Sequence, residues 1–354
     1  MPQNAVKIIE SQAAGSEQKD KNEIRRILHE FSVDTNPETL AERLLYGCDV
    51  TINFHPDRIS NNGKMIIENL LTDGEYHNQH KTGTSNGGLG GDRDSWERRL
   101  FNGAYHDGNS NVINRPKYGA LNVHNYADGA AARFGSCFFT VKEHVVDRCT
   151  FSYGDSSTDP DVMGTSGRFF GVVKALIKDV RDHGRLLERE RCTVGRAIEY
   201  ILAMDKNKIN GMVMGGNLDT CIETHIHGAL SLKDDIESLY ADSLYAPTDI
   251  WETIKAMCAR YDIDLRFIPE RRFHIDKIGD EDWKWKGVPL TRTLADRVDE
   301  RFGGDGMLDA VIIGRASRDS VINPGDWSDI GTAFDLFQNF KKLWHYCAFW
   351  GISI

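Results

Sequence analysis

Apolar residues recur along this chain with two spacings, one typical of helices and one typical of strands. Recurrence every three to four positions, with start signals such as Asn36-Pro37, predicts helices. The predicted helices cover about 21–31, 37–47, 167–181, 194–204, 248–263 and 332–349. Alternation predicts a strand in CDVTINF (48–54), and further strands are predicted at 219–232, 266–269 and 310–314. This mixture predicts an α+β fold.

Between Asn53 and Asp155 the apolar periodicity is repeatedly interrupted by polar, glycine-rich blocks. The blocks are NFHPDR (53–58), TGTSNGG (82–88), GGDRDSWERRLF (90–101), RPKYGALN (115–122), RFGS (133–136) and YGDS (153–156). No packing requirement explains such a density of His, Arg, Asp and Gly. Arginine pairs bidentately with phosphate oxygens, and glycine lets backbone N–H groups approach a ligand closely. The blocks therefore indicate an enzyme that handles a nucleotide.

Residues 1–25 differ from the rest of the chain because they are rich in Gln, Ser, Ala, Lys and Asn. We expect this leader to be disordered, either as an ordinary flexible terminus or as a bacterial secretion signal. Residues 26–354 then form one domain. Within it, a helical insertion at about 160–212 and a mixed helical region at about 233–354 are the candidate target-binding parts, because they carry few of the polar blocks.

The net charge of −10 argues against nucleic-acid binding, because phosphate contacts need a basic surface. The seven cysteines are scattered and lack a CxxC pair, which argues against a disulfide framework or a zinc site. No apolar run approaches the ~20 residues of a membrane-spanning helix. The composition therefore predicts a globular protein, expected to be monomeric, that contacts neither nucleic acid nor membrane.

The segment 219–232 carries the leading catalytic candidates. On a strand, Cys221, Glu223, His225 and His227 share one face, and the residues between them share the other. Two histidines and a carboxylate on one face suit a divalent metal, as in the metal-dependent amidohydrolases. The chain that follows is too short for the rest of a (β/α)8 barrel, which needs about 250 residues. Two other interpretations remain: Glu223 alone is presented into a cleft, or the histidines are merely structural.

The block NFHPDR follows the first predicted strand. His55 and Arg58 are placed there to hold ribose hydroxyls or a pyrophosphate. The alternative is a plain turn capped by Asp57. Tyr118, in RPKYGALN, has the character to stack on a flat ring, although tyrosines more often fill cores.

Taken in order, these blocks resemble one bacterial family closely. The resemblance rests on VTINFHPDR, the stretch 76–87, GGDRDSWERRLF, RPKYGALN, RFGS, YGDS, IETHIHG, LYADSLYAPT (239–248) and FKKLWHYCAFWG (340–351). Over about residues 40–351 the chain is similar to the CteC-type type III effectors, a family long listed as a domain of unknown function. Those effectors are mono-ADP-ribosyltransferases that transfer ADP-ribose from NAD to a threonine of host ubiquitin and so block ubiquitination. The resemblance implies the ADP-ribosyltransferase fold of toxins and PARP enzymes, with two small sheets packed around an NAD cleft and no metal.

The resemblance also implies roles for individual residues. Glu223 hydrogen-bonds the 2′-hydroxyl of the nicotinamide ribose and stabilises the positive charge that develops there, and Ser85 orients this glutamate. His55 and Arg58 hold the adenosine ribose and the pyrophosphate, and Tyr118 stacks on nicotinamide. The other NAD-binding candidates are Thr84, Asn86 and Arg93.

One position departs from the pattern of the arginine-modifying relatives. They carry Glu or Gln two residues before the catalytic glutamate, where this chain has Cys221. A second catalytic acid must therefore come from elsewhere, and Asp57 and Asp155 are the two candidates. The sequence does not rank them.

The resemblance further implies a secreted bacterial effector that acts in the host cytoplasm, and the bacterial cytoplasm is the alternative location. Two other functions stay open. One is a metal-dependent hydrolase that uses His225, His227 and Glu223. The other is a module that binds NAD or ubiquitin without turnover.

Overall fold

Eight strands form one large sheet. The structure, a computed structural model, describes residues 2–84, 91–106, 112–212, 220–278 and 292–353. The strands of the large sheet are β1 (Val50–Phe54), β2 (Lys117–Leu121), β3 (Cys137–Val141), β4 (Cys149–Tyr153), β5 (Met163–Thr165), β6 (Ile222–Ile226), β7 (Ile236–Asp242) and β8 (Asp264–Ile268). Their order is β5-β4-β6-β2-β1-β3-β7-β8. All neighbouring pairs are antiparallel except β7 and β8, which are parallel.

A second sheet has three strands in the order β10-β9-β11. They are β9 (Arg271–His274), β10 (Met307–Asp309) and β11 (Ile352–Ser353). The helices are α1 (Pro2–Glu30), α2 (Pro37–Tyr46), α3 (Ile66–Asp73), α4 (Gln79–Thr82), α5 (Asp92–Leu100), α6 (Phe170–His183), α7 (Val194–Leu202), α8 (Leu232–Asp235), α9 (Asp249–Tyr261), α10 (Arg292–Phe302), α11 (Ala310–Ile322) and α12 (Ala333–Trp350). The predicted α+β class is confirmed. The sheets differ from the expected two small ones, because local alternation predicts a strand but not its neighbours in the sheet.

Most predicted elements are confirmed, and local capping explains where they begin. Helix α2 starts where the Asn36 side chain accepts the N–H of Thr39 at 2.8 Å, with Pro37 in the first turn. The apolar run 310–314 is an exception, because it was predicted to be a strand and instead begins α11. Asp309 caps this helix by accepting the N–H of Ile312 at 2.9 Å, and that local bond outweighs the strand preference of the β-branched residues.

The expectation of a disordered leader is wrong, because residues 2–30 form the single helix α1. Several of its apolar residues, among them Ala5, Ile9 and Ile27, are fully buried. The carboxylate of Asp20 also accepts a charged hydrogen bond from Lys174 of α6 at 2.5 Å. The polar residues that indicated disorder are mostly exposed, and most of the apolar residues are buried or half-buried. Average composition therefore concealed an amphipathic helix.

The helical stretch at about 160–212 supplies part of the main core. Helices α6 and α7 bury Val172, Leu176 and Ile198 in the same apolar cluster as Ile52 of β1. An insertion that only binds a target would be removable, but deletion of these helices would expose the apolar residues they cover. The described chain holds no helix that is both long and apolar enough to cross a bilayer.

Candidate functional site

Two adjoining hollows form a cleft beside strands β1, β2 and β6. The first, here called the Glu223 hollow, spans about 640 Å³, and the second, the Arg58 hollow, spans about 870 Å³, and both volumes include space that is open to solvent. Residues that line the Glu223 hollow include Arg93, Tyr118, Asp155, Cys221 and Glu223. Residues that line the Arg58 hollow include His55, Arg58, Thr84, Arg133, Phe337 and Lys341. The hollows share a wall, formed by Asn53, Tyr76, His77, Gln79 and Phe134.

Strand β6 presents Glu223 to the cleft and Ile222 and Ile226 to the apolar core. The two isoleucines are fully buried, whereas Glu223 is 7% exposed and lines its hollow. This alternation follows from the two-residue period of a strand. The Glu223 Oε1 atom lies 2.8 Å from Nε2 of His225, two positions further along. The predicted shared face of Cys221, Glu223 and His225 is therefore confirmed.

Tyr118 lies on the neighbouring strand β2, directly opposite His225. Its hydroxyl donates to Oε1 of the fully buried Glu97 at 3.1 Å. The guanidinium of Arg93 lies 4.2 Å from the centre of the Tyr118 ring. Tyr118, Arg93 and Glu223 all line the Glu223 hollow. Because Arg93 covers one face of the tyrosine ring, a stacking ligand would have to contact the other face.

The Arg58 hollow is built where the turn after β1 meets α3 and α12. The carbonyl of Pro56 accepts the N–H of Ile67 at 2.9 Å, which ties the turn to the start of α3. The Arg58 guanidinium lies 5.3 Å from the ring centre of Phe337, on α12. Lys341, one helical turn further on, lines the same hollow. Arg58 and Lys341 thus give this hollow positive charge that suits a phosphate group.

His55 contributes a neutral ring to the Arg58 hollow. It packs edge-on against Trp344 of α12, with ring centres 4.9 Å apart. Burial, together with the nearby charge of Arg58, lowers the pKa of His55 well below its ordinary value. At neutral pH this imidazole can therefore offer one donor and one acceptor, which suits ribose hydroxyls.

An ion pair joins the two hollows. Nη2 of Arg133, which lines the Arg58 hollow, lies 2.5 Å from Oδ2 of Asp155, which lines the Glu223 hollow. Burial alone would raise the pKa of Asp155, but the Arg133 charge and the N–H of Ser157 lower it below its ordinary value. The Asn53 side chain holds the loop that precedes Arg133 by accepting the N–H of Ala131 at 3.3 Å. Arg133 belongs to the polar block RFGS, but the sequence pattern gave it no individual role.

Asp57, the other candidate acid, is not among the described residues that line either hollow. It is 3% exposed and accepts a hydrogen bond from the Tyr245 hydroxyl at 3.3 Å. Gly314 of α11 packs so closely that a Cβ there would lie 1.6 Å from Asp57 Oδ2. Burial raises the pKa of Asp57 to about 6, against the opposing charges of Arg318 and Arg58. Of the two aspartates, only Asp155 reaches the cleft within the described chain.

The remaining NAD-binding candidates are partly described. Thr84 lines the Arg58 hollow, and its hydroxyl lies 2.9 Å from that of Thr82. Ser85 and Asn86 lie outside the described residues. The sequence pattern assigned no role to Phe337 or Lys341, because both lie far along the chain from the other polar blocks. The block FKKLWHYCAFWG, which contains Lys341, was the sequence feature that pointed to this region.

His225 and His227 are buried and hydrogen-bonded at all four ring nitrogens. Their partners are Glu223, Tyr105 and the Thr150 hydroxyl, which contacts both rings. In the part of the chain that is described, no three His, Cys, Asp or Glu side chains are grouped to hold a metal ion. The histidines thus form part of a hydrogen-bond chain that ends at Glu223.

The chain belongs to the family described as "Protein of unknown function (DUF3626)", which matches residues 49–349. The matched span begins just before β1 and ends within α12, so it contains all the residues named above that line the two hollows. Helices α1 and α2 lie outside it. No curated protein matches this chain.

Proposed function

We propose that this protein is an NAD-dependent mono-ADP-ribosyltransferase that modifies a threonine hydroxyl of a protein. The observation that carries the proposal is the pairing of two unlike hollows in one cleft. One contains a carboxylate held in place by a hydrogen bond, and the other contains Arg58 and Lys341. A dinucleotide needs both environments, because it joins a reactive ribose to a pyrophosphate.

The Glu223 hollow suits the chemistry. NAD supplies the ADP-ribosyl group when the bond between its ribose and nicotinamide breaks and the electron pair leaves on nicotinamide. Glu223 stabilises the positive charge that develops on the ribose, as carboxylates do in glycoside hydrolysis. Tyr118, whose hydroxyl is fixed by Glu97, supplies an aromatic wall.

The Arg58 hollow suits binding. The guanidinium of Arg58 and the ammonium of Lys341 pair with pyrophosphate oxygens, and the neutral His55 ring hydrogen-bonds a ribose. The ion pair of Arg133 and Asp155 joins the two hollows, so it would lie between the two parts of a bound NAD. We assign Asp155, rather than Asp57, to the second acid role, because its carboxylate lines the Glu223 hollow. There it is placed to accept the proton that the threonine hydroxyl loses as its oxygen bonds to the ribose.

The acceptor rests on the resemblance to the CteC-type effectors. On that basis we propose ubiquitin as the modified protein and the host cytoplasm as the place of action. Loss of a usable threonine surface on ubiquitin would then block ubiquitination. The fold proposed for the domain is likewise the ADP-ribosyltransferase fold, with the large sheet forming the floor of the NAD cleft.

Incubation of the purified protein with NAD and folded ubiquitin tests the proposal. We expect nicotinamide release, measured by chromatography, and ubiquitin heavier by one ADP-ribosyl group, measured by intact-protein mass spectrometry. Fragmentation should place the group on a threonine. Release of nicotinamide with unmodified ubiquitin would contradict the acceptor, and NAD binding without release would favour a non-catalytic module. Amide hydrolysis that depends on added metal would favour the hydrolase instead.

A further inference from the structure

A chain of five polar side chains runs from Tyr105 to Glu223. The Tyr105 hydroxyl lies 2.5 Å from Nδ1 of His227, and Nε2 of that ring lies 2.9 Å from Oγ1 of Thr150. The Thr150 oxygen is also 3.1 Å from Nδ1 of His225. Nε2 of His225 lies 2.8 Å from Glu223 Oε1. The other four residues of this series of hydrogen bonds are at most 3% exposed, so water does not interrupt the series.

When both imidazole rings are neutral and Glu223 is a carboxylate, these five side chains have one consistent assignment of their hydrogens. A Glu223 carboxylate can only accept, so Nε2 of His225 carries the hydrogen, and its Nδ1 accepts from the hydroxyl of Thr150. The Thr150 oxygen then accepts from Nε2–H of His227, whose Nδ1 accepts from Tyr105. Burial and the neighbouring His225 lower the pKa of His227 well below its ordinary value, so this ring is neutral. Burial raises the pKa of Tyr105, so its hydroxyl keeps its hydrogen.

Packing fixes the rings in this chain. Phe101 packs edge-on against His225 and His227, with ring centres 5.3 and 5.1 Å apart. Phe101 and Tyr105 in turn belong to a buried apolar cluster with Ala5 and Ile9 of α1. Rotation of either imidazole would break two hydrogen bonds and this packing together. The arrangement is therefore rigid before any ligand binds.

We propose that His225, Thr150, His227 and Tyr105 are positioning residues that hold the Glu223 carboxylate in its reactive orientation. The proposal rests on the proposed function of Glu223 and adds the device that preorganises it. A glutamate side chain has several freely rotating bonds, and fixing it in advance removes a cost from the reaction step. His225 thus takes the orienting role that the resemblance gives to Ser85.

Thr150→Val tests this hydrogen-bond chain from Tyr105 to Glu223, here called the relay. Valine has nearly the same shape as threonine but can neither donate nor accept a hydrogen bond. Its matched control is Thr224→Val. Thr224 is equally buried on β6, and its hydroxyl has no hydrogen-bond partner within the described structure. Thr150→Ser restores the hydroxyl. For each protein we would measure kcat and the Kd of NAD, and record the histidine tautomers by ¹⁵N NMR, with assignments from His225→Gln and His227→Gln.

We expect both rings in the wild type to be neutral, with the hydrogen on Nε2. In Thr150→Val, His227 should lose this fixed tautomer, because its Nε2–H no longer has an acceptor, while Glu223 still holds the hydrogen on Nε2 of His225. We expect kcat for NAD cleavage to fall about 10- to 100-fold, with the Kd of NAD unchanged. Thr150→Ser and Thr224→Val should behave as the wild type. Unchanged tautomers and kcat in Thr150→Val, or a doubly protonated His225 in the wild type, would overturn the relay. If the wild type does not cleave NAD, the proposed function fails, and the tautomers alone decide whether the relay exists.

Discussion

The Glu223 hollow and the Arg58 hollow share a wall but are built from different parts of the chain. Glu223 and Tyr118 stand on sheet strands, and each is held by hydrogen bonds to buried partners. Arg58 and Lys341 come from a turn and from a helix, and Arg58 packs against an aromatic ring. Rigidly placed carboxylates favour stabilisation of charge that appears only in a transition state, whereas cations that line a hollow favour binding of charge that is already present. In the proposed transferase, the Glu223 hollow would therefore carry the chemical step and the Arg58 hollow would supply the affinity for NAD.

The largest expected effect is that of Glu223→Gln. Glutamine keeps the shape of the side chain and can still accept from His225, but it removes the charge that would stabilise the ribosyl cation in the proposed reaction. We expect kcat for nicotinamide release to fall by about 10²-fold or more, with NAD binding and folding retained. Glu237→Gln, which changes an exposed carboxylate on β7, is the matched control. Near-normal turnover by Glu223→Gln would remove the chemical step from this hollow.

The structural features around Glu223 could be predicted from the sequence only where they depend on residues close together in the chain. The cap at Asn36 and the alternation around Glu223 were visible, because each depends on neighbouring residues. The contact between Tyr105 and His227 joins positions 122 apart, so no local pattern contains it. For this reason the sequence left His225 and His227 open between metal ligands and structural residues, and it left the second acid unranked.

The sequence also could not show which residues line which of the two hollows. Arg133 and Asp155 stand in different polar blocks, and only the fold makes them an ion pair that spans the junction. Helix α12 brings Lys341 beside Arg58, an approach that depends on the packing of the whole domain. The wrong expectation of a disordered leader has a similar cause. The polarity of α1 is an average, whereas its stability depends on where Ile9 and Ile27 pack.

The second prediction separates the two aspartates through their effects on stability. Asp57 has a pKa of about 6 in the folded protein against an ordinary value of 3.8. Between these values the folded state holds a proton that the unfolded chain releases, so stability falls as pH rises through this window. Asp57→Asn should remove that fall and raise the free energy of unfolding at pH above 6 by at most about 3 kcal/mol.

Asp155→Asn should behave in the opposite way. Its folded pKa is lowered, so the carboxylate stabilises the protein above the ordinary range of an aspartate and loses this effect as pH falls. Urea unfolding followed by circular dichroism at several pH values measures both variants. Parallel pH curves for the wild type and Asp57→Asn would contradict the raised pKa. Loss of turnover in Asp57→Asn without a gain in stability would place this residue in the chemistry.

The smallest expected effect is that of Arg58→Ala, which tests the binding half of the comparison. The guanidinium would contact a pyrophosphate that carries the same charge in the ground state and in the transition state. Its removal should therefore raise KM for NAD about tenfold and leave kcat nearly unchanged. Arg58→Lys keeps the charge but loses the bidentate geometry of the guanidinium. Its KM for NAD should therefore lie between those of the wild type and Arg58→Ala.

The control for Arg58→Ala is Arg98→Ala, on the exposed surface of α5, where the side chain is 62% exposed. It should change neither constant, because no described contact joins Arg98 to the cleft. Steady-state nicotinamide release at varied NAD concentration measures all three variants. A large fall in kcat with unchanged KM in Arg58→Ala would place Arg58 at the reacting centre. The division of labour between the two hollows would then be wrong, since a residue of the binding hollow would be stabilising the transition state.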